Sequence, residues 1–124
     1  MPPVDPSQSV ILATTRLFAI LGDPIAQVGS PRVFNPLMAK ASADAVLLPM
    51  HVTPADLQDA FRGIKAIRNF DGLIFTIPHK MAAMDLVDEV SKTGQLVGAI
   101  NVARREKDGR WTGDMFDGRG CVRG

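Results

Sequence analysis

Leu17-Phe18-Ala19-Ile20-Leu21-Gly22-Asp23-Pro24 is the stretch on which the fold turns. Five apolar residues run into a Gly-Asp-Pro turn signal, and a run this short and this apolar reads as a buried strand. After it, Ser30-Pro31 opens a segment with Val33, Phe34, Leu37, Met38 and Ala41 at the spacing of one helix face. Ser30 and Pro31 supply the N-cap and first helical position. Residues 45–52 read as a second strand. Thr53-Pro54-Ala55-Asp56 starts a second helix, with Leu57, Ala60, Phe61 and Ile64 on its buried face. Asn69-Phe70-Asp71-Gly72 reads as a turn, and residues 73–76 as a third apolar strand. Pro78 begins a short helix through Lys80 and Met81, and residues 91–97 form another before Gly98. Residues 99–105 and 110–114 flank Lys107-Asp108-Gly109 as a hairpin.

Strands alternating with amphipathic helices and then a hairpin predict an α/β fold: a single three-layer α/β/α domain with a mainly parallel, mixed sheet. The expected boundaries are a mobile N-terminal arm over residues 1–15, an α/β domain over 16–116, and the start of a further helix over 117–124. The 124 residues suit one domain with a substantial core. Fourteen Lys and Arg against thirteen Asp and Glu give a net charge of +1, which offers nucleic acid no footprint. The single cysteine, Cys121, precludes an intramolecular disulfide, and with two histidines it makes a poor metal set. Residues 1–15 contain no Lys or Arg, so they do not read as a secretory signal. The apolar stretch 10–21 is too short to span a membrane. A cytoplasmic location is expected.

Ligands of such sheets bind beyond the carboxyl ends of the strands. Three loops lie there: residues 22–31, residues 76–80, and the region of Asp117. Locally each has a plain reading. Ser30 and Asp117 are ordinary N-caps, and Lys80 is a solvated lysine at a helix start where the dipole disfavours a cation. Asn101 in a strand is less expected, because a buried amide needs partners. His51 and His79 read as structural or exposed, and Met38, Met81 and Met84 as core filling. Gly118-Arg119-Gly120-Cys121-Val122-Arg123-Gly124 looks like a dinucleotide fingerprint, but its third glycine falls one residue late and no βαβ unit surrounds it.

In order, the motifs are Gly22-Asp23-Pro24-Ile25 with Ser30-Pro31 and Asn35, Thr76-Ile77-Pro78-His79-Lys80, Gly98-Ala99-Ile100-Asn101, and Gly113-Asp114 with Asp117-Gly118 and Gly120. Together they resemble the N-terminal, substrate-binding domain of the shikimate dehydrogenase family, over about residues 16–121. The resemblance implies an NADP-dependent oxidoreductase acting on a cyclic hydroxy acid of the shikimate or quinate type. It implies Lys80 and Asp117 as the catalytic pair, with Ser30 and Thr76 near the substrate carboxylate and Asn101 on ring hydroxyls. NADP would be bound mainly by a Rossmann-type domain absent from this chain, so these residues alone would be inactive. The alternative from another class is a non-catalytic domain holding a small carboxylate. The family's Ser-x-Ser-Pro reads Val28-Gly29-Ser30-Pro31, its His-Asn pair reads Phe34-Asn35, its Asn-Val-Thr reads Ile74-Phe75-Thr76, and its Asn-Thr-Asp-Gly reads Met115-Phe116-Asp117-Gly118. These departures predict that shikimate itself is a poor substrate.

Overall fold

The computed structural model describes residues 11–25 and 44–116. The expected helix opening at Ser30, and the positions of Val28, Phe34, Asn35, Asp117 and Cys121, lie outside them. Strand β1 (Arg16–Gly22) is followed by β2 (Ala45–His51), a 3-10 turn (Pro54–Asp56) and helix α1 (Leu57–Lys65). Then come β3 (Phe70–Phe75), a second 3-10 turn (Ala82–Asp85), β4 (Glu89–Val90) and helix α2 (Lys92–Val97). Strands β5 (Val102–Arg105) and β6 (Trp111–Asp114) complete one mixed sheet of order β2-β1-β3-β5-β6-β4. β1 pairs parallel with β2 and β3, and β4 parallel with β6, while the β3–β5 and β5–β6 pairs are antiparallel.

The expected α/β class with a mainly parallel, mixed sheet is therefore observed. Ala19, Ile20 and Leu21 are all buried in succession, so both faces of the sheet are covered there. On one face α1 lays Leu57, Phe61 and Ile64 against Ala19, Leu21, Leu73, Phe75 and Trp111. The Phe61 ring meets Trp111 edge-on at 5.4 Å between centroids. Arg105 stacks its guanidinium 5.0 Å over the Trp111 ring. It also donates to the carbonyls of Lys65, Ile67 and Phe70, tying the exit of α1 and the start of β3 to β5.

Several local expectations are corrected. Residues 11–15 are described, and Thr15 is buried rather than part of an arm. Its hydroxyl donates to Asp44 Oδ1 at 2.6 Å and accepts the Leu12 N–H at 2.8 Å. The turn expected over Asn69-Phe70-Asp71-Gly72 closes earlier, through Phe70 N–H to Ile67 C=O, and β3 already runs from Phe70. Tertiary pairing overrides the turn signal: Phe70 is buried opposite Leu17, and an added Cβ on Gly72 would sit 2.8 Å from the Phe18 ring. Pro78 opens no helix. Residues 76–81 form a turn closed by His79 N–H on Thr76 C=O, and helical geometry starts only at Ala82. Strand β5 starts at Val102, leaving Asn101 just ahead of it. The two-residue strand β4 had no signal at all, since two residues carry no period.

Candidate functional site

The pairing directions decide what meets at one edge. The carboxyl ends of the parallel strands β1, β2 and β3 lie together, and antiparallel β5 brings its amino end to the same edge, where β6 ends. That edge therefore gathers Gly22-Asp23, His51-Val52, the 76–80 turn, Asn101 and Met115-Phe116.

Main-chain hydrogen bonds stitch these segments. Thr76 N–H donates to Leu21 C=O at 3.0 Å, and Asp23 N–H to Ile77 C=O at 3.1 Å. A Cβ on Gly22 would fall 2.4 Å from Thr76 Cγ2, so only glycine lets the threonine come this close. Asp23 and His51 form an exposed pair at 2.6 Å beside it. His79 is buried, its Nε2 lying 2.6 Å from Val52 C=O.

Lys80 is half-buried, and its carbonyl accepts the Ile100 N–H at 2.9 Å. Among the described residues no carboxylate pairs with its ammonium. Asn101, next to Ile100, is fixed at both ends of its peptide unit: its N–H donates to Asp114 C=O at 3.0 Å and its carbonyl accepts from Phe75 N–H at 2.8 Å. Its side-chain amide grips Phe116. Nδ2 donates to Phe116 C=O at 2.6 Å, and Phe116 N–H donates to Oδ1 at 2.9 Å. An amide has two N–H groups and two carbonyl lone pairs, so one of each remains for a ligand. Asp114 braces the same corner, accepting from Ser91 Oγ at 2.6 Å and Met115 N–H at 2.7 Å.

Of the five residues singled out from sequence, Thr76, Lys80 and Asn101 stand at this edge; Ser30 and Asp117 lie outside the described residues. Asp117 is covalently joined to Phe116, the residue that Asn101 holds. Sequence alone did not reveal the amide grip on Phe116, because it depends on β5 and β6 pairing in register. A cavity of about 500 Å³ opens on the sheet face opposite α1, with Phe18, Ile74, Val102, Asp114 and Phe116 among its lining. Ile74 and Phe116, two of the departures from the family pattern, both line it. Among the described residues no three His, Cys, Asp or Glu side chains cluster as a metal set, and no helix is long and apolar enough to cross a membrane.

An open α/β sheet that collects polar loop residues beyond the carboxyl ends of its parallel strands defines a small-molecule-binding domain. Residues 20–103 match the family described as shikimate dehydrogenase substrate binding domain. The chain belongs to the shikimate dehydrogenase family. It is 34% identical over 109 residues to shikimate dehydrogenase (NADP(+)) of Microcystis aeruginosa, covering 88% of this chain and 37% of that protein. It is 37% identical over 106 residues to the protein of the same name from Lysinibacillus sphaericus, covering 86% and 38%. Among solved structures, shikimate 5-dehydrogenase from Listeria monocytogenes, in complex with shikimate and NAD, superposes with a TM-score of 0.85 at 32% identity, over 94% of this chain and 39% of that one. The ligand-free 5-ketofructose reductase of a Gluconobacter species reaches 0.81 at 27% identity, over 88% and 39%. The chain thus spans well under half the length of these relatives.

Proposed function

We propose that this chain is the substrate-binding part of an NADP-dependent, shikimate dehydrogenase-like oxidoreductase acting on a cyclic hydroxy acid of the shikimate or quinate type. The observation that carries this reading is the linkage of Lys80 through Ile100 and Asn101 to Phe116, the residue that precedes Asp117. Lys80 takes the proton of the reacting hydroxyl as the carbonyl forms and returns it in the reverse direction. A lysine does this when its neutral form is accessible, and Asp117 orients it. Ser30 and Thr76 hold the substrate carboxylate, and the free half of the Asn101 amide takes a ring hydroxyl.

The described residues do not fit a dinucleotide. The entry to α1 carries Asp56 where a pyrophosphate needs glycine and free N–H groups, and the Ser91 hydroxyl at the start of α2 is engaged by Gly94 and Asp114. In this reading NADP is held mainly by a further Rossmann-type domain, and the 124 residues alone turn nothing over. The protein works in the cytoplasm, in aromatic amino acid biosynthesis.

Titrating shikimate and quinate into the isotope-labelled chain tests the reading by NMR. Saturable shifts are expected at Thr76, Lys80 and Asn101. Shifts confined to other residues, or none with either acid, would refute it.

A further inference from the structure

Lys80 is anchored on both sides of its own backbone. Its carbonyl bonds to Ile100, and the residue before it, His79, is 1% exposed with Nε2 2.6 Å from Val52 C=O. A carbonyl only accepts, so Nε2 carries a ring proton. Nothing among the described residues donates to Nδ1. The ring thus makes one hydrogen bond, and that bond leads away from the lysine to another strand's exit. Val52 follows β2, and its own N–H donates to Gly22 C=O at the end of β1 at 3.0 Å. The His79 main chain is meanwhile tied to Thr76 and Ala83. One buried side chain therefore joins the turn that leaves β3 to the segment that leaves β2.

We propose that His79 is a positioning residue: its Nε2–H bond to Val52 sets where the 76–80 turn lies, and with it the reach of Lys80 to the substrate hydroxyl. This rests on the reading of Lys80 as the proton-transfer group. A plain core role would ask only for volume, which phenylalanine supplies. A positioning role asks for an N–H at the Nε2 place, which glutamine supplies and phenylalanine does not. A shift of about 1 Å at the reacting group can cost on the order of a hundredfold in rate.

The test is steady-state kinetics of the complete enzyme with NADP and with shikimate and quinate. His79→Phe is expected to lose about tenfold or more in kcat with KM within about threefold, and His79→Gln to keep kcat within about threefold of wild type. Wild-type kcat in His79→Phe overturns the proposal, as does an equal loss in both variants tracking an equal loss of Tm. Lys80→Met in the same assay separates the two readings. An active Lys80→Met refutes the role given to Lys80 and the strut with it, whereas an inactive one beside an unimpaired His79→Phe refutes the strut alone. Long-range ¹H–¹⁵N NMR of the wild-type chain gives a second measurement that needs no turnover. The His79 ring is expected as the Nε2–H tautomer with a slowly exchanging proton, and the Nδ1–H tautomer or a fast-exchanging proton overturns the proposal.

Discussion

Replacing Asn101 by alanine removes both bonds that hold Phe116, the 2.6 Å donation from Nδ2 and the 2.9 Å acceptance at Oδ1. Each is worth about 0.5–1.5 kcal/mol net. The corner is partly open to water, which re-solvates the Phe116 N–H and C=O, so the lower part of that range applies. The two together make about 1–2 kcal/mol. For a chain of this size that lowers Tm by roughly 4–8 °C. The main-chain bonds of Asn101 to Phe75 and Asp114 survive the substitution, so the sheet itself stays intact. Urea denaturation gives the stability change, and hydrogen exchange at the Phe116 amide gives its location. Asn101→Asp should cost at least as much, because it keeps the acceptor for Phe116 N–H but sets a carboxylate against Phe116 C=O. Stability of Asn101→Ala within about 0.5 kcal/mol of wild type, with unchanged exchange at Phe116, would refute the clamp.

Three further outcomes are expected. Trp111→Ala empties a site packed by Phe61 and Arg105 and should cost about 3–5 kcal/mol in urea denaturation. Acid should destabilise the fold: the Arg16 hydrogen bond holds Asp71 below the usual carboxylate range, the Thr14 and Thr15 hydroxyls do so for Asp44, and Thr112 and Arg104 for Glu106. Folded values below the unfolded ones give stability that is present above pH about 4 and lost as pH falls through the folded values, so Tm scanned downward in pH should drop there, less steeply in Asp71→Asn. In the complete enzyme, Val28→Ser should raise kcat/KM on shikimate by about ten- to a hundredfold, since it restores a hydroxyl two residues from Ser30, and an equal or lower value on both shikimate and quinate would place the carboxylate elsewhere.

Much of this was legible in the sequence because it is local. The apolar run ending at Gly22, the Leu57, Phe61 and Ile64 stripe, and the Asp108-Gly109 hairpin turn each announce an element by period or turn chemistry. The failures came where distant pairing overrode local preference. Phe70-Asp71-Gly72 looks like a turn but is drawn into β3 by Leu17 and by the Arg16–Asp71 ion pair at 2.7 Å. Pro78 looks like a helix start, yet the bonds of Thr76 to Leu21 and of Ile77 to Asp23 hold the segment against β1 as a turn. At the site, Thr76, Lys80 and Asn101 were legible as motif positions. The work that Gly22, His79 and the Asn101 amide do was not, because it consists of contacts between strand ends far apart in sequence.

The central proposal is that Lys80 moves the substrate's proton and that Asp117 takes part in that transfer, and the most direct measurement is kcat of Lys80→Met and Asp117→Asn in the complete enzyme. With NADP and a saturating cyclic hydroxy acid, Lys80→Met should lose about 10²–10⁴ in kcat while substrate binding changes little, and Asp117→Asn should shift the pH–rate profile. A Lys80→Met enzyme that turns over at the wild-type rate would contradict the account.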